Sequence, residues 1–229
     1  MKSNKQIYHC FFEQSGTFKN EFKKLGYEAY DYDILNMYNE TDYVIDLYDE
    51  IEKAFLGLKS IFDKMEGGQQ TILAFFPCIR FEQQILLHFR GDASQMKNMS
   101  DIEKLNSDLK LHDELHKNYS LITKLAIVCL RKNIPLIIEN PFSEQHYLRK
   151  YWCLKPKIVD MNRRLNGDSY IKPTQYWFIG CEPQDNFFME ALEEVEEKIV
   201  DDGDTVERSM ITPQYASRFI RTHILKEGE

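Results

Sequence analysis

Three observations predict an α/β fold with a doubly wound, mostly parallel sheet and helices on both faces. Strand-like and helix-like segments alternate along the whole chain. Several strand segments are continuous apolar runs, the pattern of strands buried on both faces. The chemically distinctive residues gather at the carboxyl ends of those strands, where open α/β sheets bind their ligands.

The elements follow in order. IYHCFFE (residues 7–13) is short, aromatic and apolar, and reads as the first strand. After Ser15-Gly16-Thr17, Phe18, Phe22 and Leu25 recur at helical spacing, and Gly26 offers a stop. EAYDYD (28–33) is the second strand, and DYVID a short third. From Leu47 the stripe Ile51, Phe55, Leu58 and Phe62 marks an amphipathic helix that should end before Gly67-Gly68. TILAFFP (71–77) is the fourth strand. SDIE (100–103) is a capping-box signature opening a long helix through LITKLAIVCLRKN. PLIIEN (135–140), KIVDM and QYWFIG complete the strands, and TPQYASRFIRTHI (212–224) is a closing helix.

The 229 residues, 43% apolar and 29% charged, suit one domain with a substantial core, and no internal repeat or linker divides them. The opening MKSNKQIYHCFF lacks the phases of a signal peptide, and no apolar run is long enough to span a membrane. Five scattered cysteines without a CxxC pair point to reduced thiols in a cytoplasmic setting, with no disulfide frame and no zinc site. The net charge is −8, but residues 182–207 carry eleven carboxylates against one lysine, so the rest of the chain is close to neutral. That stretch reads as a solvated helix and loop, and the balance gives no electrostatic support for tight duplex binding. His112 and His116 in HDELH share a helical stripe with Leu105, Leu109 and Tyr119, which favours helix packing over metal binding.

The predicted strand ends carry Glu13 to Thr17, Asp31 and Asp33, Asp46, Pro77 to Arg80, and Glu139 to Pro141. Taken in order, this set resembles the cytosine-carbon-5 DNA methyltransferases, particularly their compact phage-type members. FEQSGTFKNEFKKLG is similar to the cofactor-binding loop and its helix, Phe76-Pro77-Cys78 to the nucleophile loop, and Glu139-Asn140-Pro141 to the acidic motif. YIKPTQYWFIG and RSMITPQYASRFI resemble the following strand and closing helix. Gln14 stands where the resemblance implies a glycine, and Phe76 where it implies a proline.

The resemblance implies a Rossmann-like methyltransferase fold that uses S-adenosyl-L-methionine. Its pocket is formed by Phe12, Glu13, Ser15, Gly16, Thr17 and Pro77, with Asp33 (Asp31 as rival) on the ribose and Asp46 on the adenine. Cys78 is the implied nucleophile toward a cytosine that is flipped out or single-stranded, with Arg80 favouring its thiolate. Glu139 is the acid at the ring nitrogen, and Asn140 fixes the loop. An adenine-amino methyltransferase fits less well, because the fourth strand ends in FFPC. Too few residues separate the Lys-Pro-Thr strand from the closing helix for a target-recognition domain. Short or lax selectivity is therefore expected, read by residues 81–98 and Arg90. Two other readings stay open: a catalytically silent binding or regulatory protein of phage or mobile-element origin, and a methyltransferase acting on nucleotides or RNA.

Overall fold

The structure, a computed structural model, describes residues 6–65, 69–187, 198 and 209–226. Among these residues, seven strands form one sheet: β1 (Ile7–Phe11), β2 (Glu28–Asp33), β3 (Tyr43–Val44), β4 (Gln70–Phe75), β5 (Leu136–Pro141), β6 (Ile158–Asp160) and β7 (Thr174–Ile179). Their order is β3-β2-β1-β4-β5-β7-β6, with every pairing parallel except those of β7, which runs antiparallel to β5 and β6. This is the Rossmann order 3-2-1-4-5-6 with one reversed strand inserted near the edge. The chain leaves β1 toward β2 and later returns to β4 on β1's other side, so the strand order reverses between β1 and β4.

Helices cover both faces. On one, α2 (Leu47–Phe55) and α4 (Asp101–Arg131) enclose Phe11, Ile72, Ile138 and Trp177. On the other, α1 (Thr17–Lys24) and the closing helix, here α6 (Pro213–Phe219), cover Tyr8, Cys10, Leu73 and Tyr176. Two short helices, α3 (Leu86–Phe89) and α5 (Tyr147–Tyr151), flank the carboxyl ends of the central strands. Past α6 the chain continues as a π-helical turn, Ile220–Ile224.

Two local expectations are corrected. The helix from Leu47 does not run on to Phe62. It stops at Phe55, where Gly57 (φ 75°) donates to Ala54 O and Leu58 donates to Lys53 O, a Schellman closure that leaves Leu58 exposed. Phe62 reaches the core from a separate 3-10 turn, Ile61–Lys64. Gly67 and Gly68 lie outside the described residues, as do residues 188–197 and 199–207 of the acidic stretch.

The long helix begins as its capping box predicts, with Glu103 accepting from the Ser100 amide at 2.8 Å. Its packed face, however, is Leu111, Leu115, Asn118, Ile122, Leu125 and Cys129. Leu105 and Leu109 are exposed, as is the His112 side chain, which meets Asp108 at 3.5 Å. Leucines at i and i+4 form two parallel stripes on this helix, Leu105 with Leu109 and Leu111 with Leu115, and only the second is buried.

No helix among the described residues is long and apolar enough to cross a membrane.

Candidate active site

A cavity of about 310 Å³ opens where the strand order reverses. The turn after β1 (Phe12 to Ser15), the end of β4 (Phe75 to Cys78) and Glu139 of β5 line it, and Met37 and Tyr38 overhang it from the loop after β2.

Phe12 carries the turn out of β1 with φ of 60°, a left-handed conformation that costs a non-glycine residue about 1–3 kcal/mol. Its surroundings enforce it. The Phe12 amide donates to Tyr32 O at 2.8 Å, and its ring sits edge-on to Phe76 at 5.2 Å. Glu13 then folds back over the start of α1. Gly16, at the N-cap, has no side chain to accept from the first helical amides, and Glu13 takes that role, accepting from Phe18 N at 2.8 Å and Lys19 N at 3.4 Å. Burial nevertheless pushes the Glu13 carboxyl up to about 7, with the neighbouring Asp31 adding to the rise. The side-chain oxygen of Gln14 is buried without a hydrogen-bond partner among the described residues.

The remaining cofactor candidates fall around this cavity unevenly. Gly16 has φ of 65°, and a Cβ there would lie 2.7 Å from Glu40 Oε2, so this glycine serves the turn and the packing of Glu40. Thr17 shares a hydroxyl contact of 2.9 Å with Ser15. Asp33 lies one residue beyond the Phe11–Tyr32 pair, accepts from Leu35 N at 2.8 Å, and is buried at the end of β2. Its rival Asp31 is fully buried; its Oδ1 meets Lys19 at 3.2 Å and accepts from Asp42 N, while its Oδ2 has no hydrogen-bond partner among the described residues. Asp46 is the N-cap of α2, accepting from Tyr48 N at 2.9 Å. None of Gly16, Thr17, Asp33 and Asp46 lines the cavity.

At the β4 end, Asn140 Nδ2 donates to Phe76 O at 2.8 Å, tying β5 to the residue just before Pro77-Cys78. Asn140 is itself fully buried, so the strap is shielded from water. The Cys78 thiol donates to Glu82 Oε1 at 2.8 Å. Burial pushes this thiol far up, Glu82 and then Glu139 push it further, and Lys172 opposes them. Arg80, the cation expected beside the thiol, is instead paired with Glu114 of α4. The turn closed by Phe81 N on Cys78 O (2.7 Å) carries it there, and Lys172 is the cation that acts on the thiol.

Glu139 pairs in register with Phe75 across the sheet. Burial raises its carboxyl, Lys172 and then Arg163 oppose the rise, and on balance it is held above the usual carboxylate range. Arg163 is buried against Asp168 at 2.6 Å and holds Met210 O at 3.2 Å, fixing a residue of the cavity wall.

A second cavity of about 570 Å³ adjoins the first, and Pro141 and Lys172 line both. Glu82, Arg90 and His146 also line it, so the loop expected to read the substrate does border an open space. His146 is 1% exposed, neither ring nitrogen has a partner among the described residues, and burial lowers it to about 4. Phe81 is buried beside Phe76 and Tyr147, which makes it core and not a stacking platform. The described residues contain no group of three side chains able to hold a metal ion.

Sequence reasoning passed over Glu82, Lys172 and His146. Glu82 had a signal, four residues after the cysteine; Lys172 and His146 reach the site only through the fold. No protein-family model matches the chain, and no curated protein matches it.

Proposed function

We propose that the chain is an S-adenosylmethionine-dependent methyltransferase acting on carbon-5 of cytosine in DNA. The observation that carries this reading is the meeting of Cys78, Glu139 and the strained Phe12–Ser15 turn on one cavity at the strand-order reversal.

The cavity suits the cofactor in its chemistry. The unpartnered Gln14 oxygen and the Glu13 carboxyl offer acceptors to an ammonium group, and Phe12, Met37 and Tyr38 offer apolar surface to a heteroaromatic ring. The resemblance implies Asp33 for the ribose hydroxyls, although it lies at the end of β2 outside the cavity lining, and Asp46 is already engaged in capping α2. When bound, S-adenosylmethionine supplies an electrophilic methyl group. The chain's own residues do the rest. Cys78 adds to carbon-6 of the ring, which makes carbon-5 nucleophilic. Glu139, biased by burial toward its protonated form, donates to the ring nitrogen and so eases that addition. Asn140 holds the Phe76 carbonyl and with it the Pro77-Cys78 turn. Lys172, between the two cavities, counters the negative charge that gathers on sulfur. A cytosine reaches Cys78 only when unstacked, and the adjoining cavity offers it space.

One observation favours a second reading. Gln14 puts a side chain into the cavity wall where the resemblance implies glycine, which suits a silent descendant that binds a partner and no cofactor. Calorimetric titration with S-adenosylmethionine and S-adenosylhomocysteine separates the two. Micromolar binding, weakened in Asp33→Ala, supports the enzyme, and no heat at near-millimolar ligand favours the silent protein.

A further inference from the structure

We propose that Glu82 is the general base of this site: it receives the Cys78 thiol proton as sulfur attacks, and returns it when sulfur departs. The inference rests on the methyltransferase reading and adds a catalytic residue to it.

The geometry is direct. Sγ–H points at Glu82 Oε1 over 2.8 Å, within the reach a nucleophile and its base require. The pair straddles the two cavities, since Cys78 lines the first and Glu82 the second. The second cavity is the space assigned above to the unstacked ring, and Glu82 borders it. The cation that could have ionised the thiol directly, Arg80, is held by Glu114. The charged groups acting on Cys78 are Glu82 from the following loop, Glu139 from β5 and Lys172 from the segment before β7. Two of these three are acidic, so the resting nucleophile is a thiol and needs a proton acceptor when it attacks. Glu82 alone among them makes a hydrogen bond to the sulfur.

The step balances. As the Sγ–C6 bond forms, the thiol proton passes to Glu82 and the displaced π electrons reach N3, which takes a proton from Glu139. Once carbon-5 carries the methyl group, N3 returns its proton to Glu139 and carbon-5 loses its own to solvent. The Sγ–C6 bond then breaks, the C5–C6 double bond re-forms, and sulfur takes its proton back from Glu82.

Glu82→Gln gives the test two arms of opposite sign. Glutamine keeps an acceptor oxygen for the thiol but loses the charge and the basicity. The first arm is iodoacetamide alkylation of Cys78 followed from pH 6 to 9. Without the nearby carboxylate the thiol ionises more readily, and each unit of lowering should speed alkylation about threefold, after the lower nucleophilicity of the weaker base is allowed for. The second arm is covalent capture on 5-fluorocytosine oligonucleotides, single-stranded and duplex, with S-adenosylmethionine present. Loss of the base should slow capture about 100-fold, and Glu82→Asp should restore part of it.

Faster alkylation with slower capture supports the proposal. Unchanged alkylation overturns it, because the carboxylate then does not act on the thiol; slower alkylation with slower capture supports it, because lost proton acceptance then outweighs the easier ionisation. Faster alkylation with unchanged capture also overturns it, since Glu82 would then only suppress reactivity. If the wild-type chain captures no oligonucleotide, the methyltransferase reading fails and takes the base role with it. That result is distinct from failure of the base role alone, in which wild type and Glu82→Gln capture equally fast.

Discussion

Replacing Glu13 by glutamine should make the stability of the protein depend on pH in a way that reports the charge buried under α1. The Glu13 carboxyl is 6% exposed and is raised from 4.5 to about 7, mainly by burial. A carboxyl whose folded-state pKa exceeds its unfolded value weakens the folded state. The penalty is fully present above pH 7, declines as pH falls through that value, and is gone below about pH 4.5. The shift corresponds to about 3 kcal/mol. Glutamine removes this penalty but gives up the acceptor now facing Lys19 N, a loss of about 1 kcal/mol. Glu13→Gln should therefore be about 2 kcal/mol more stable than wild type at pH 8.5 and about 1 kcal/mol less stable near pH 4.5. The wild-type curve alone is a poor witness. His146, lowered to about 4, loses stability as pH falls from 6.5, opposite in sign to Glu13 over the same range. Urea unfolding of both proteins at four pH values isolates the difference. A difference that stays constant within about 0.5 kcal/mol across that range would refute the reasoning.

Asn140→Ala should destabilise the protein by about 1–3 kcal/mol, because it strands the buried Phe76 carbonyl; urea unfolding measures it. Gly16→Ala should lose about 1–2 kcal/mol to its left-handed backbone, plus a clash with Glu40. Compared by thermal unfolding with Glu40→Ala alone, Gly16→Ala/Glu40→Ala should lose only the backbone part and the residual contact with the Glu40 Cβ at 3.1 Å. Lys172→Met should slow iodoacetamide alkylation of Cys78, the reverse of Glu82→Gln, because the one cation opposing the thiol's rise is gone; an equal or faster rate would remove Lys172 from the site's electrostatics.

The parts of this protein that were legible in its sequence rest on local physics. The apolar run ending at Phe75, the capping box at Ser100 and the helical spacing of Phe18 and Phe22 each specify an element through neighbouring residues alone. The strand ends also delivered Phe12, Glu13, Ser15, Pro77, Cys78 and Glu139 to one cavity, because a parallel sheet brings its carboxyl ends together. What escaped was decided over distance or between equal local choices. Arg80 follows Cys78 by two residues but finds Glu114 on α4. Leu105 and Leu109 repeat as regularly as Leu111 and Leu115, and only tertiary packing selects the buried stripe. Gly57 ends α2 inside a pattern that continues to Phe62, since the apolar spacing survives the break in the helix. Lys172 and His146 gain significance only when β7 and α5 are folded against β5.

The most direct test of the account is mass spectrometry of the chain after incubation with a 5-fluorocytosine oligonucleotide and S-adenosylmethionine. Fluorine at carbon-5 cannot leave as a proton, so a ring that has been attacked and then methylated cannot expel the enzyme and stays attached to it. The expected result is an adduct on the peptide containing Cys78, dependent on S-adenosylmethionine and absent in Cys78→Ala. A protein that binds S-adenosylmethionine yet forms no adduct, or one whose adduct persists in Cys78→Ala, would contradict the assignment of Cys78 as the nucleophile.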